Sequence, residues 1–150
     1  MAGTGRNSAG RPLVVLANLS QSHRTPVSGV SVTSPLILVV EDEVLLRIHA
    51  VTVLEDAGFS TLEAATAEEA IALLEARTDI RIVLTDIQLG EGMDGLALAR
   101  AIRERWPPVE LLLASGRMRV EPDRMPNRGL FLSKPYQPSQ LVQCVRSLVG

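Results

Sequence analysis

From residue 36 to the end of the chain, short apolar runs alternate with longer stretches of mixed polarity. Residues 36–40, 81–85 and 110–114 are mostly apolar, which is typical of strands buried on both faces of a parallel sheet. Residues 59–63 and 129–133 form weaker runs that fit positions nearer a sheet edge. The alternation predicts an α/β fold with a doubly wound, five-stranded parallel sheet.

Helix signals occupy the stretches between the runs. Residues 44–56 are predicted to form the first helix, and Thr66 and Glu69 have the spacing of a capping box that opens a second helix to about residue 76. Asp94 is placed to begin a third helix, which must stop before the prolines at 107 and 108. The last helix has an apolar stripe that we expect to face the sheet, formed by Leu141, Val142, Val145, Leu148 and Val149.

The stretch from residue 117 to 128 departs from this pattern. Pro122 and Pro126 interrupt helical periodicity, because proline lacks a backbone N–H and clashes with the preceding turn. We therefore expect the helix at this place, the fourth along the chain, to be short, irregular or absent.

Residues 1–34 differ in composition from the rest. They carry Arg6, Arg11 and Arg24 with no acid, and many Ser, Thr, Gly and Asn residues that hydrogen-bond locally instead of packing. We expect a disordered N-terminal extension followed by one domain over residues 35–150. That domain has 12 Lys and Arg against 17 Asp and Glu, a formal charge of −5, which argues against direct nucleic-acid binding.

Two further features concern the location of the protein. The longest apolar run near the start, residues 13–17, is much shorter than the roughly 20 residues that a membrane-spanning helix needs, so we expect no membrane segment. Cys144 is the single cysteine, which excludes an intrachain disulfide and fits a reduced, cytoplasmic location.

Polar side chains stand where four of the predicted strands end. Glu41 and Asp42 follow the first strand, Asp86 ends the third, and Ser115 and Lys134 end the fourth and fifth. Ligand sites of open parallel sheets form outside the carboxyl ends of the strands. We therefore expect these five side chains to meet at one edge of the sheet.

The three acids of this group indicate a metal site. Carboxylates brought together repel one another unless a cation lies among them, and oxygen ligands without His or Cys favour a hard ion, so Mg²⁺ is the expected cofactor. A carboxylate is also a competent nucleophile toward phosphorus. We predict that Asp86 accepts a phosphoryl group, while Ser115 and Lys134 offer a hydroxyl and an ammonium to its oxygens.

Four segments of the chain resemble, in their order and spacing, the signature segments of the receiver domain of two-component response regulators. These segments are LILVVEDE, VLTDIQLGEGMDG, LLLASG and FLSKPY. The resemblance covers residues 36–149 and is to the single-domain, chemotaxis-regulator-like type. It implies a flavodoxin-like sheet with the strand order 2-1-3-4-5.

The resemblance also implies roles for residues of the acidic group. Asp86 is expected to be the phosphoacceptor. Glu41 and Asp42 are expected to hold Mg²⁺ together with Asp86 and the backbone carbonyl of Gln88.

Further roles concern signalling and the lifetime of the phosphoryl group. Ser115 and Phe131 correspond to the hydroxyl and aromatic switch residues, and Lys134 to the cationic partner of the phosphoryl group. Gln88 and Arg117 correspond to positions at which residues of the family control the access of the water that hydrolyses the aspartyl phosphate. We therefore expect them to tune the lifetime of the phosphoryl group.

Three positions, the length of one loop and one irregular segment depart from the common pattern of the family. Glu41 stands where Asp is commoner, Gly90 where a Pro often stands, and Gly116 follows the switch Ser and gives the hinge more freedom. The loop from Asp86 to Gly95 is one residue longer than in the shortest receivers. The irregular 117–128 segment, which belongs to the signalling face, is the only one of these departures that we expect could change partners.

We therefore expect a phosphoacceptor signalling protein and not an enzyme, with slow self-phosphorylation and self-dephosphorylation. Its donor would be a sensor histidine kinase or a histidine phosphotransfer protein, and its output a conformational switch read by a downstream protein. It would act as a monomer or as a phosphorylation-dependent dimer. Because residue 150 directly follows the last predicted helix, we expect a single-domain regulator without a DNA-binding domain.

Other functions stay open at this point. One is a receiver-fold interaction module whose output does not depend on phosphate, and another is a receiver that serves as a phosphate sink. A phosphohydrolase using an aspartyl phosphate would commonly need a second Asp two residues after the first, where this chain has Gln88. Neither His23 nor His49 has the helical-bundle setting of a phosphodonor histidine.

Overall fold

The computed structural model describes residues 34–116 and 122–150. Its five strands are β1 (Leu36–Val40), β2 (Ser60–Ala64), β3 (Ile80–Asp86), β4 (Glu110–Ser115) and β5 (Gly129–Ser133). They form one parallel sheet in the order β2-β1-β3-β4-β5, as the resemblance implied. The two weaker apolar runs are the edge strands β2 and β5, as predicted.

The α-helices of the described residues are α1 (Val44–Asp56), α2 (Ala67–Ala76), α3 (Gly95–Arg105) and α4 (Pro138–Val149). Asp94 caps α3 by accepting a hydrogen bond from the Ala97 N–H (2.7 Å), and α3 ends before the two prolines. Thr66 caps α2 by accepting from the Glu69 N–H (3.0 Å). In a capping box, the Glu69 side chain would accept from the N–H of Thr66. Here it accepts from the N–H of Ala65 instead, one residue earlier in the chain.

Alternate residues of each strand pack on opposite faces of the sheet, as the period of two requires. On β1, Leu38 packs in the layer that contains α2 and α3, and Ile37 packs in the layer that contains α1 and α4. From the predicted stripe of α4, Leu141 and Val145 are fully buried in this second layer. The two layers therefore cover both faces of the sheet.

In the described part of the 117–128 segment, the chain forms a single 3-10 turn, Pro122–Arg124, so the expected irregularity is confirmed there. Two arginines of α3 bind backbone carbonyls of this segment. Arg103 Nε donates to Asn127 O (2.8 Å), and Arg100 Nη2 donates to Arg124 O (3.3 Å). Carbonyls that a regular helix would satisfy internally are thus satisfied by α3.

Residues 1–33 lie outside the described part of the chain, so the disordered extension stays a prediction. Ser34, which we included in that extension, donates from its hydroxyl to the Gly58 carbonyl (2.9 Å). Within the described ranges, no helix is long and apolar enough to cross a bilayer.

Candidate functional site

The register of the sheet brings the predicted site residues to one edge. Asp86, the last residue of β3, pairs with Ala114, and Ser115 pairs with Ser133 at the end of β5. Lys134 follows directly, and its backbone N–H donates to the Ser115 carbonyl (3.0 Å). The side chains at the ends of neighbouring strands therefore lie next to one another, as predicted.

The ammonium of Lys134 joins two of the acids. Lys134 Nζ lies 3.1 Å from Glu41 Oε1 and 3.2 Å from Asp86 Oδ2. The other oxygen of each carboxylate accepts from a backbone N–H: Glu41 Oε2 from Glu43 (3.1 Å) and Asp86 Oδ1 from Gln88 (3.3 Å). Both carboxylates are thus oriented from two sides.

Burial and charge shape the pKa values of this group. Burial opposes the charge on Lys134, but attraction by Asp86 and Glu41 and the hydrogen bonds to them outweigh it, so the pKa of the Lys134 ammonium is raised. Burial is also the largest influence on Glu41, and it raises the pKa of that carboxyl although the Glu43 N–H and Lys134 lower it. The site therefore holds a firmly charged cation beside an acid that resists ionisation.

The acidic group fits a divalent metal ion. Glu41, Asp42 and Asp86 each offer an oxygen, and these oxygens lie within 4.8 Å of one another. An all-oxygen set of this kind suits Mg²⁺, which keeps several waters and takes one or two carboxylates. Asp42 and Asp86 line an open cleft of about 460 Å³, whereas Glu41 is 6% exposed and is not among the residues that line it. The cleft has room for a hydrated ion and a phosphoryl group.

The remaining predicted residues lie at different distances from this cleft. Gln88 lines it, and Ser115 is buried at the end of β4. Phe131 lies on β5 opposite Leu113 with 36% of its surface exposed. Arg117 lies outside the described residues, and the roles given to these side chains stay predictions.

Sequence reasoning missed Arg47 of α1. Its guanidinium donates to the backbone carbonyl of Glu41 (2.8 Å) and to Glu63 Oε1 (3.0 Å), so it fixes the turn that carries the acidic pair. Because an arginine on a helix is usually exposed, no spacing signal in the sequence distinguishes this one. Tyr136 was also missed; burial raises the pKa of its hydroxyl, and the residue lines a small cavity together with Asp86.

Replacing Glu41 by Gln is expected to stabilise the metal-free protein at neutral pH by about 1 kcal/mol. Burial raises the pKa of Glu41 above its unfolded value, so ionising it costs stability as pH rises above its ordinary pKa of 4.5. The advantage of Glu41→Gln should therefore disappear toward about pH 4, where both states bind the proton. Urea unfolding in EDTA across this pH range measures it; a variant less stable than wild type at neutral pH would contradict it.

Comparison with known proteins gives a consistent result. The chain matches the family model described as the response regulator receiver domain over residues 37–146. It is 33% identical over 121 residues to the aerobic respiration control protein ArcA of Escherichia coli, covering 78% of this chain and 49% of that protein. It is 32% identical over 120 residues to the sensor kinase CckA of Brucella abortus, covering 77% of this chain and 13% of that protein. The chain thus spans about half or less of the length of these two relatives.

A solved structure agrees with the family match. The response regulator receiver protein from Sinorhizobium medicae is similar with a TM-score of 0.73 and 30% identity, over 77% of this chain and 94% of that one. The parallel sheet and its strand order fit the same assignment. The chain belongs to the response regulator receiver domain family.

Proposed function

We propose that this protein is a phosphoaccepting receiver in which Asp86 takes a phosphoryl group from a sensor histidine kinase or a histidine phosphotransfer protein. The observation that carries the proposal is the position of Lys134 Nζ between the carboxylates of Asp86 and Glu41, at an open cleft with Asp42 beside it. A nucleophilic carboxylate, a fixed cation and an oxygen-only metal site are the components that phosphoryl transfer to an acid needs.

In the transfer step, a carboxylate oxygen of Asp86 forms a bond to phosphorus while the bond from phosphorus to the donor group breaks. The bonding electron pair leaves with the donor. Lys134 faces the negative charge that spreads over the transferring oxygens, and its raised pKa keeps it charged at neutral pH. Mg²⁺, held by Asp42, Asp86, the Gln88 carbonyl and Glu41 directly or through water, would add positive charge to the same oxygens.

Slow turnover is part of the proposal, and the protein is not proposed as an enzyme. Hydrolysis of an aspartyl phosphate is fast where an acid/base residue serves the attacking water. The position two residues after Asp86 holds Gln88, which lacks that function. Together with Arg117, Gln88 is proposed to set the lifetime of the phosphoryl group.

The output would be a change of shape at β4 and β5. Ser115 ends β4, the strand that pairs with the Asp86-bearing β3, and we propose that its hydroxyl closes on a phosphoryl oxygen. Phe131 on β5 is partly exposed and would turn inward when Ser115 moves. We propose that a downstream protein reads this change. A cytoplasmic location without direct nucleic-acid contact is proposed as well, supported by the single Cys144 and the negative charge of residues 35–150.

An exposed apolar surface at the start of α1 supports a protein as phosphodonor. Four aliphatic side chains of this helix are exposed by 41% to 80%: Val44, Leu45, Leu46 and Ile48. Leu46 also lines the small cavity beside Asp86 and Lys134, so this surface borders the acceptor. Exposed apolar surfaces are typical of protein contacts, and a partner bound there would bring its histidine close to Asp86.

Leu45→Arg is expected to slow phosphotransfer from a protein donor about tenfold, because it places a charge in the apolar contact. Phosphorylation by a small-molecule donor should stay near the wild-type rate, since Leu45 is 80% exposed and does not line the cleft. Parallel time courses with a histidine phosphotransfer protein that phosphorylates wild type and with acetyl phosphate provide the measurement. Equal slowing with both donors would rule out a docking role.

The proposal is tested by incubating the protein with acetyl phosphate and Mg²⁺ and measuring its intact mass. Wild type should gain one phosphoryl group, and chelation of Mg²⁺ or the Asp86→Asn substitution should prevent the gain. An unchanged wild-type mass would overturn the proposal. So would equal labelling of wild type and Asp86→Asn.

A further inference from the structure

We propose that the backbone N–H of Gly90 is a positioning group that holds one carboxylate oxygen of Asp42 and thereby sets the Mg²⁺ affinity of the site. The inference rests on the proposed function, because it assumes that Asp42 is a metal ligand. The observation is a hydrogen bond of 3.1 Å from the Gly90 N–H to Asp42 Oδ2, across 48 residues of chain.

Asp42 is the acid of the group that most needs such a partner. Glu41 and Asp86 are each held by Lys134 and by a backbone N–H, and both are largely shielded from solvent. Asp42 is exposed, so its side chain would otherwise sample several rotamers. Mg²⁺ requires near-ideal octahedral geometry, and a carboxylate held by one oxygen presents the other in a defined direction.

The residue type at position 90 suits this role. A proline at this position would have no N–H to donate. A side chain would also crowd the acid, because a Cβ on Gly90 would lie 3.1 Å from Asp42 Oδ2. Glycine supplies the donor and permits the close approach, which connects the residue type at position 90 to the metal site.

The loop that presents this N–H is anchored on both sides of it. Leu89, directly before Gly90, is 6% exposed and packs in the core layer with α2 and α3. Farther along, the Met93 N–H donates to Glu68 Oε2 on α2 (3.4 Å). The donor is thus held in place by the fold, and binding of metal at Asp42 must in return stabilise the loop, since coupling between two sites is reciprocal.

Isothermal titration of Mg²⁺ into the metal-free protein tests the inference. Gly90→Ala keeps the N–H and adds only the crowding methyl group, whereas Gly90→Pro removes the donor. We expect Gly90→Pro to bind Mg²⁺ about tenfold more weakly than Gly90→Ala, as loss of an outer hydrogen bond to a metal ligand typically does. Glu68→Ala releases the far end of the loop but leaves Leu89 packed in the core beside the donor, so it should weaken binding less than Gly90→Pro does. Gly90→Pro binding as tightly as Gly90→Ala, or Glu68→Ala weakening binding as much as Gly90→Pro, would overturn the inference.

Hydrogen exchange of the wild-type amides by NMR tests the same point without a substitution. Exchange at Gly90 should slow when Mg²⁺ is added, while exchange at Met93, whose acceptor Glu68 is not proposed as a ligand, should change less. Faster exchange at Gly90 would mean that the metal displaces the N–H from Asp42, which contradicts a positioning role. If wild type binds no Mg²⁺, the proposed function fails as well. If wild type binds Mg²⁺ but the affinity does not depend on the N–H at position 90, only this inference is overturned.

Discussion

Replacing Gly95 by Ala is expected to destabilise the protein by about 3 kcal/mol and to reduce phosphoryl acceptance about 100-fold. Gly95 is the first residue of α3 and is buried against the backbone of the acceptor itself. A Cβ there would overlap the Asp86 carbonyl oxygen and lie 2.8 Å from the Asp86 carbonyl carbon and 2.9 Å from Ile87 Cα. Because backbone cannot rotate away as a side chain can, either α3 or the end of β3 must move.

Urea unfolding and the rate of phosphorylation by acetyl phosphate measure the two effects of Gly95→Ala. Gly116→Ala is a matched control for stability, because its Cβ would meet Lys134 Cβ at an ordinary 3.4 Å. We expect it to stay within about 1 kcal/mol of wild type. A Gly95→Ala protein as stable as this control would contradict the close packing of α3 on Asp86.

Replacing Lys134 by Ala is expected to destabilise the metal-free protein by about 2 kcal/mol, less than for a fully buried ion pair because the ammonium is partly exposed. The side chains of Lys134, Glu41 and Asp86 are 21%, 8% and 13% exposed. Without the ammonium, two shielded carboxylates would face each other uncompensated. Excess Mg²⁺ should restore much of the stability, whereas phosphoryl acceptance should stay about 100-fold slower because the fixed cation is missing.

Urea unfolding of Lys134→Ala in EDTA and in Mg²⁺ separates the effect on charge from the effect on transfer. Lys134→Arg keeps the positive charge but replaces the compact ammonium with a larger, planar guanidinium. It should therefore restore the free energy of unfolding more fully than the rate of phosphorylation. Equal stability of wild type and Lys134→Ala in EDTA would show that the contacts of Lys134 to Glu41 and Asp86 contribute little to the fold.

Much of the fold could be predicted from local signals. The bounds of α1 follow from the local pattern of apolar and polar residues. The start of α3 follows from the capping residue Asp94, and its end follows from the two prolines. The acids, Ser115 and Lys134 could be grouped because parallel strands must bring their carboxyl ends to one edge. The capping of α2 was predicted less well, since Glu69 reaches one residue farther back than its spacing indicates.

What escaped prediction depends on contacts between distant segments. Nothing near Gly90 in the sequence indicates Asp42 as its partner, and Gly95 has no local sign of its approach to Asp86. The sequence likewise does not distinguish Arg47 from other basic residues, because its role depends on the contact with the Glu41 carbonyl that the fold creates. In α1, the sheet covers only one side of the helix, so Leu54 is fully buried whereas Leu45 is 80% exposed.

The most direct test of the account is to locate the acylphosphate. Protein treated with acetyl phosphate and Mg²⁺ is reduced with borohydride, which converts an aspartyl phosphate to homoserine, and the peptides are sequenced by mass spectrometry. We predict homoserine at position 86 in the sample with Mg²⁺ and none when the metal is chelated. Homoserine at Asp42 or at another acid, or its absence from a sample whose mass shows a phosphoryl group, would contradict the assignment of Asp86 as the phosphoacceptor.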